Sequence, residues 1–172
     1  MSSPRRISAV CAAVLLAAAT QASTLLAPNA GRAARTGAAP DACALLTDAQ
    51  VSAALEVPTH PGKHLGTTST TACIWSSDAD ASAGRRVTLS IIPMATFDRG
   101  KGSPIIHTEP AQGVGDEAYF EVFRADSPFL VVRKGNAAFT VRILNGLKLK
   151  AFTLEQERSK EVTLAQAVVK GL

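Results

Sequence analysis

Between Arg86 and Ile92 the chain alternates cleanly. Val87, Leu89 and Ile91 fall on one side, with Arg86, Thr88 and Ser90 on the other. A half-buried antiparallel strand has this period. Thr71 to Ser77 reads as a strand that places Cys73 and Trp75 two apart, on one face, so Trp75 is expected in the core. Three more strands are predicted over Ala118–Arg124, Phe129–Lys134 and Ala137–Leu144, the last with Phe139, Val141 and Ile143 inward. Ala125-Asp126-Ser127-Pro128 marks a turn between the first two, and Gly135-Asn136 is a two-residue hairpin signal between the others. Asn145-Gly146 is a further turn signal, after which Leu147 and Leu149 are candidates for a short edge strand.

The period changes near both ends of this region. Thr47 and Gln50 have the spacing of a capping box, and Leu46 with Val51 that of a hydrophobic staple. They predict a short helix over Asp48–Leu55, which Pro58 helps to stop. Thr153 and Gln156 repeat the box before a closing helix with Leu164, Ala165 and Val168 on one face. Met94–Gly100 suits a helical turn, while Thr59–Thr70 and Lys101–Pro110 read as irregular. Runs of strands flanked by helices predict an α+β domain. Its antiparallel sheet would have about five strands, with an N-terminal and a C-terminal helix packed on it.

The first 22 residues are predicted to be a cleavable signal peptide. Arg5 and Arg6 form a basic start, Ile7–Ala19 is an uncharged apolar run, and Thr20-Gln21-Ala22 offers small residues to a peptidase. Cleavage is placed after Ala22, with Ala19 as second choice. An uncleaved anchor is the alternative, although Thr20, Gln21, Ser23 and Thr24 break the apolar run. Residues 23–40, rich in Ala, Gly and Pro, read as a flexible tether, leaving residues 41–172 as one domain. Without Arg5 and Arg6 the charge is 16 basic against 14 acidic residues, or +2. That is too mild to imply a nucleic-acid partner.

Of three cysteines, Cys11 sits inside the leader. Val10 before it is not the small residue a lipobox needs, and the apolar run continues past it. Cys43 and Cys73 remain, an even pair in an exported chain, where oxidising conditions favour a disulfide. Closing that loop stabilises by roughly 3–4 kcal/mol in the loop-entropy picture. The alternative is two buried free thiols.

Three landmarks stand in order: Asp41-Ala42-Cys43-Ala44-Leu45-Leu46-Thr47, Cys73-Ile74-Trp75, and Gly113-Val114-Gly115-Asp116-Glu117-Ala118-Tyr119, followed by an amphipathic helix. Together they resemble a broad family of small exported bacterial proteins and lipoprotein-type domains of unknown function, over residues 41–172. The resemblance implies an extracytoplasmic α+β domain with a helix-to-strand disulfide. It transfers no catalytic residue. Many members carry a lipobox cysteine, which this chain lacks in convincing form.

Candidate chemistry is sparse. His60 and His64 have the spacing of two metal ligands on one helical turn, but Pro58, Pro61 and Gly62 oppose a helix. No carboxylate or cysteine lies near them in sequence, so no metal site is expected. His107 stands alone. Asp116 and Glu117 are adjacent acids, which in a strand point to opposite faces and do not converge on one substrate. A structural reading is simpler. Gly113 and Gly115 are free to take positive φ, and the Asp116 carboxylate can accept backbone amides. No hydrolase elbow, phosphate loop, dinucleotide fingerprint or C-x-x-C is present, and no cofactor is expected. The basic pairs Arg85-Arg86, Arg133-Lys134 and Lys148/Lys150 are expected on the wet face of the sheet.

These features favour a non-enzymatic binding or interaction domain that works outside the cytoplasm, whether periplasmic, on the cell surface or secreted. Its partner would be an envelope protein or a small ligand. The membrane is met only transiently through the leader, or through that leader as a retained anchor. The alternatives are an unrecognised enzyme using His107 with Asp116 or Glu117, and a purely structural envelope component.

Overall fold

The computed structural model describes residues 39–122, 128–147 and 149–172. The leader, the tether up to residue 38, and residues 123–127 of the predicted strand end and turn lie outside the described residues.

Among the described residues the fold is α+β, with three α-helices and one antiparallel sheet of seven strands, not about five. A 3-10 turn (Ala42–Ala44) and helix α1 (Asp48–Leu55) come first. They lead into β1 (Lys63–His64), β2 (Ala72–Ser76) and β3 (Arg86–Ile92). Helix α2 (Met94–Lys101) precedes β4 (His107–Ala111), β5 (Glu117–Val122), β6 (Phe129–Lys134) and β7 (Ala137–Leu144), and α3 (Leu154–Gly171) closes the chain. In space the strands run β1-β2-β3-β7-β6-β5-β4.

The two strands beyond the five expected are the two edges. β1 is two exposed residues inside the predicted loop 59–70, paired with Ile74 and Cys73 of β2. β4 carries Pro110 and lies in the stretch read as irregular. Neither presents the apolar alternation that marks a strand with a buried face. No strand forms among the described residues at Leu147 and Leu149, where Leu147 is exposed.

Both predicted capping boxes form. The Thr47 and Thr153 hydroxyls accept the Gln50 and Gln156 amide hydrogens, and each glutamine side chain accepts its cap's N–H. Helices α1 and α3 cover one side of the sheet over Trp75, Leu89, Leu130, Phe139, Val141 and Ile143. Helix α2 covers part of the other side with Phe97, above Tyr119, Val131 and Ala138. Strand β5 is therefore buried on both faces from Ala118 to Glu121.

Arg85 does not join the wet face. It is buried, donates from Nη1 to Leu55 O (2.8 Å) and from Nη2 to Lys150 O (2.5 Å), and stacks 3.8 Å from the centre of Phe152. One guanidinium thus ties the end of α1 to the approach of α3 beside the start of β3. Arg's rigid fork suits such a three-way contact better than an ammonium.

Candidate functional site

The Gly113–Tyr119 segment makes the corner from β4 into β5. Gly113 and Gly115 have φ of 78° and 63°. A Cβ on Gly115 would stand 2.5 Å from Arg133 O, so both backbone and space demand glycine. The Asp116 amide donates to Arg133 O (2.8 Å). Its carboxylate accepts the Gly135 N–H at 2.7 Å and pairs with Lys134 Nζ at 2.8 Å. Those contacts, the Gly135 amide first, hold its pKa below the usual range. Asp116 therefore buckles the β6–β7 hairpin turn to the β4–β5 corner. Glu117 pairs with Lys101 and, at 3.2 Å, with Arg133, and its pKa is lowered by Lys101 first.

His107 is not near these acids. It pairs with Val122, at the other end of β5 from Glu117. Five residues of strand, about 17 Å at roughly 3.4 Å per residue, separate the two ends. Its side-chain neighbour is Glu109 at 3.5 Å.

Two carboxylates interrupt the apolar stripe of α3: Glu157 and Glu161 are buried with Leu164, Ala165 and Val168. Glu157 accepts from Asn145 Nδ2, and Asn145 Oδ1 accepts the Phe152 N–H at 2.9 Å. Glu161 Oε1 accepts the Ile143 N–H at 2.8 Å, while Oε2 has no hydrogen-bond partner. Burial pushes the Glu161 pKa up to about 9. The group is a neutral acid at neutral pH.

Where α1 and α3 lie side by side, a groove of about 530 Å³ opens to solvent. Small side chains create it: Ala53 and Ala54 from α1, with Ser159, Thr163 and Ala167 from α3, leave the two helices without interdigitating bulk. Leu164 and Ala54 form its floor. Lys160 lies at one end, paired with Glu56 at 2.7 Å just past the end of α1. Gln50, Gln166 and Lys170 line the other end. Its charged lining residues are both lysines. Sequence reading misses this site because small residues in two segments far apart along the chain carry no local signal.

His60 and His64 do not form a helical pair: the His60 N–H donates to Ser76 O at 2.8 Å, and His64 belongs to β1. In space, however, His64 has the neighbours it lacks in sequence. Its Nε2 is 2.8 Å from Asp41 Oδ1, the same oxygen that accepts the Cys43 N–H at 2.8 Å. Those two contacts, His64 first, lower the Asp41 pKa. Cys43 and Cys73 are at disulfide-bonding distance, with Cα atoms 5.1 Å apart, which fits an oxidising setting. Trp75, fully buried on the Cys73 side of β2, donates from Nε1 to Asp48 Oδ1 at 3.0 Å.

No family model, no curated protein and no solved structure matches this chain. No helix among the described residues is long and apolar enough to cross a membrane.

Proposed function

We propose that this chain is an exported interaction domain of the cell envelope, without enzymatic activity, that receives a helix of a protein partner in the α1–α3 groove. The groove carries the reading. It is elongated, lined by alanine, serine and threonine that let a partner backbone approach closely, and charged only by lysines. Helix-in-groove recognition needs such an apolar trough with a polar rim. Lys160 is already paired with Glu56, so Lys170 at the other end is the lysine that favours a partner helix with an acidic flank.

The enzymatic alternative has less support, because His107 and the Asp116–Glu117 pair stand at opposite ends of β5. The export reading rests on the leader pattern and on the paired cysteines.

The test is site-specific photo-crosslinking in cells of the source organism, with the photoreactive residue at Ala53 or Thr163, and at Thr88 on the opposite face of the sheet as control. One discrete adduct from the groove positions, absent at Thr88 and weakened by Lys170→Glu, is expected. Equal adducts from Thr88, or none from the groove, would overturn the proposal.

A further inference from the structure

Asp41, Cys43 and His64 bring one carboxylate oxygen, one sulfur and one ring nitrogen within 4.8 Å of one another. Cys73 is bonded to Cys43, but its sulfur lies outside that group and joins it only by turning outward once the bond is broken. Two sulfurs, an imidazole and a carboxylate are the donor types that zinc takes in tetrahedral sites. While the sulfurs are bonded to each other they offer no thiolate, and the set is incomplete.

Backbone contacts besides the disulfide tie these segments together. Asp41 caps the 3-10 turn that carries Cys43, and the Ala42 N–H in that turn donates to Thr70 O at 2.8 Å. His64 is the register partner of Cys73 across β1 and β2. The corner is also reachable: Asp41 and His64 are exposed at the surface while Cys73 is buried beneath them.

We propose that reduction of the Cys43–Cys73 bond converts this corner into a four-ligand site for a tetrahedral divalent cation, with zinc the best fit. Its donors are the two cysteine thiolates, the His64 imidazole and the Asp41 carboxylate. A dithiol reductant supplies two electrons and two protons and leaves as its own disulfide, giving two protein thiols. Binding of the cation releases both thiol protons to solvent. The His64–Asp41 hydrogen bond gives way as Nε2 and Oδ1 turn to the metal, with the ring proton on Nδ1. The cation then holds the 3-10 turn to the sheet in place of the cross-link, so metal occupancy follows the redox state of the compartment. This reading is independent of the α1–α3 groove.

The experiment compares the oxidised chain with the chain reduced anaerobically by a trialkylphosphine, each titrated with Co²⁺ and Zn²⁺. The reduced chain is expected to take one Zn²⁺, and its Co²⁺ form to show thiolate charge-transfer and tetrahedral d–d bands. The oxidised chain should show neither. His64→Ala and Asp41→Ala should each weaken zinc binding by at least about tenfold, on the scale by which even supporting residues alter metal affinity. His60→Ala should leave it unchanged. Absence of stoichiometric uptake by the reduced chain overturns the proposal, as does wild-type affinity in His64→Ala. Trp75 emission covers the case in which reduction unfolds the domain. Zinc restoring native emission, dependent on His64, supports the site; zinc uptake without that recovery overturns it.

Discussion

Glu161 on α3 accepts the Ile143 amide hydrogen of β7 at 2.8 Å, two residues past the last β6–β7 register pair, Leu130 with Val141. A helix side chain thus continues the sheet's hydrogen bonding where the neighbouring strand has ended. The cost is a buried acid. With its folded pKa raised to about 9 against an ordinary 4.5, Glu161 binds a proton in the fold that the unfolded chain releases.

Stability should therefore fall as pH rises from about 4.5 to 9, because the native state holds the extra proton in that window. Glu161→Gln keeps an oxygen for Ile143 and has no charge to bury. Its Tm should exceed the wild type's at pH 8 and converge with it at pH 4. Glu161→Leu should destabilise at both pH values, since it leaves the Ile143 amide buried without an acceptor, a loss of roughly 1–3 kcal/mol. Thermal melts of the three proteins across that range decide the matter, and a wild-type Tm flat in pH would contradict the assignment.

Arg85→Lys should behave as a disruptive change despite its conserved charge. An ammonium cannot serve Leu55 O and Lys150 O together while stacking on Phe152. A loss on the order of 1–3 kcal/mol is expected, chiefly from the buried Leu55 carbonyl losing its donor. Urea titration followed by Trp75 fluorescence measures it.

Gly115→Val should be among the most damaging substitutions, since it sets a β-branched residue at φ 63° with its Cβ against Arg133 O. Asp116→Ala should lower Tm modestly and leave groove crosslinking intact. An Asp116→Ala protein with unchanged Tm and lost crosslinking would make this corner a functional surface.

Reducing the Cys43–Cys73 pair in zinc-free buffer should lower Tm by roughly 10 °C, the scale for opening a loop of this size in a domain of this length. Trp75→Ala should cost about 3–5 kcal/mol, as for other large buried aromatics. Alkylation of both thiols in unreduced native protein would refute the linkage. Intact mass of the exported form should correspond to a chain starting near Ser23.

Much of this fold is written locally, and what is not local cannot be read from the chain. Thr47 with Gln50, Thr153 with Gln156, and the alternation of Val87 and Leu89 each act within a few residues, and each appears where the pattern places it. Lys63 and His64 form a strand only because Cys73 and Ile74 offer them an edge. Arg85 reads as half of a surface pair because its acceptors lie 30 and 65 residues away. The Asp41–His64 contact spans 23 residues and the cysteine pair 30, so the donor cluster appears only once the chain is folded.

The brevity of β1 and the proline in β4 act together at the two margins of the sheet. A seven-stranded sheet with long apolar margins would invite other copies to add their own strands and grow into fibrils. Here one margin offers two residues, Lys63 among them, and the other lacks an amide hydrogen at Pro110. The strands least visible in the sequence are therefore the ones that discourage edge-to-edge pairing, so lengthening β1 or replacing Pro110 by valine should promote polymerisation, read by light scattering.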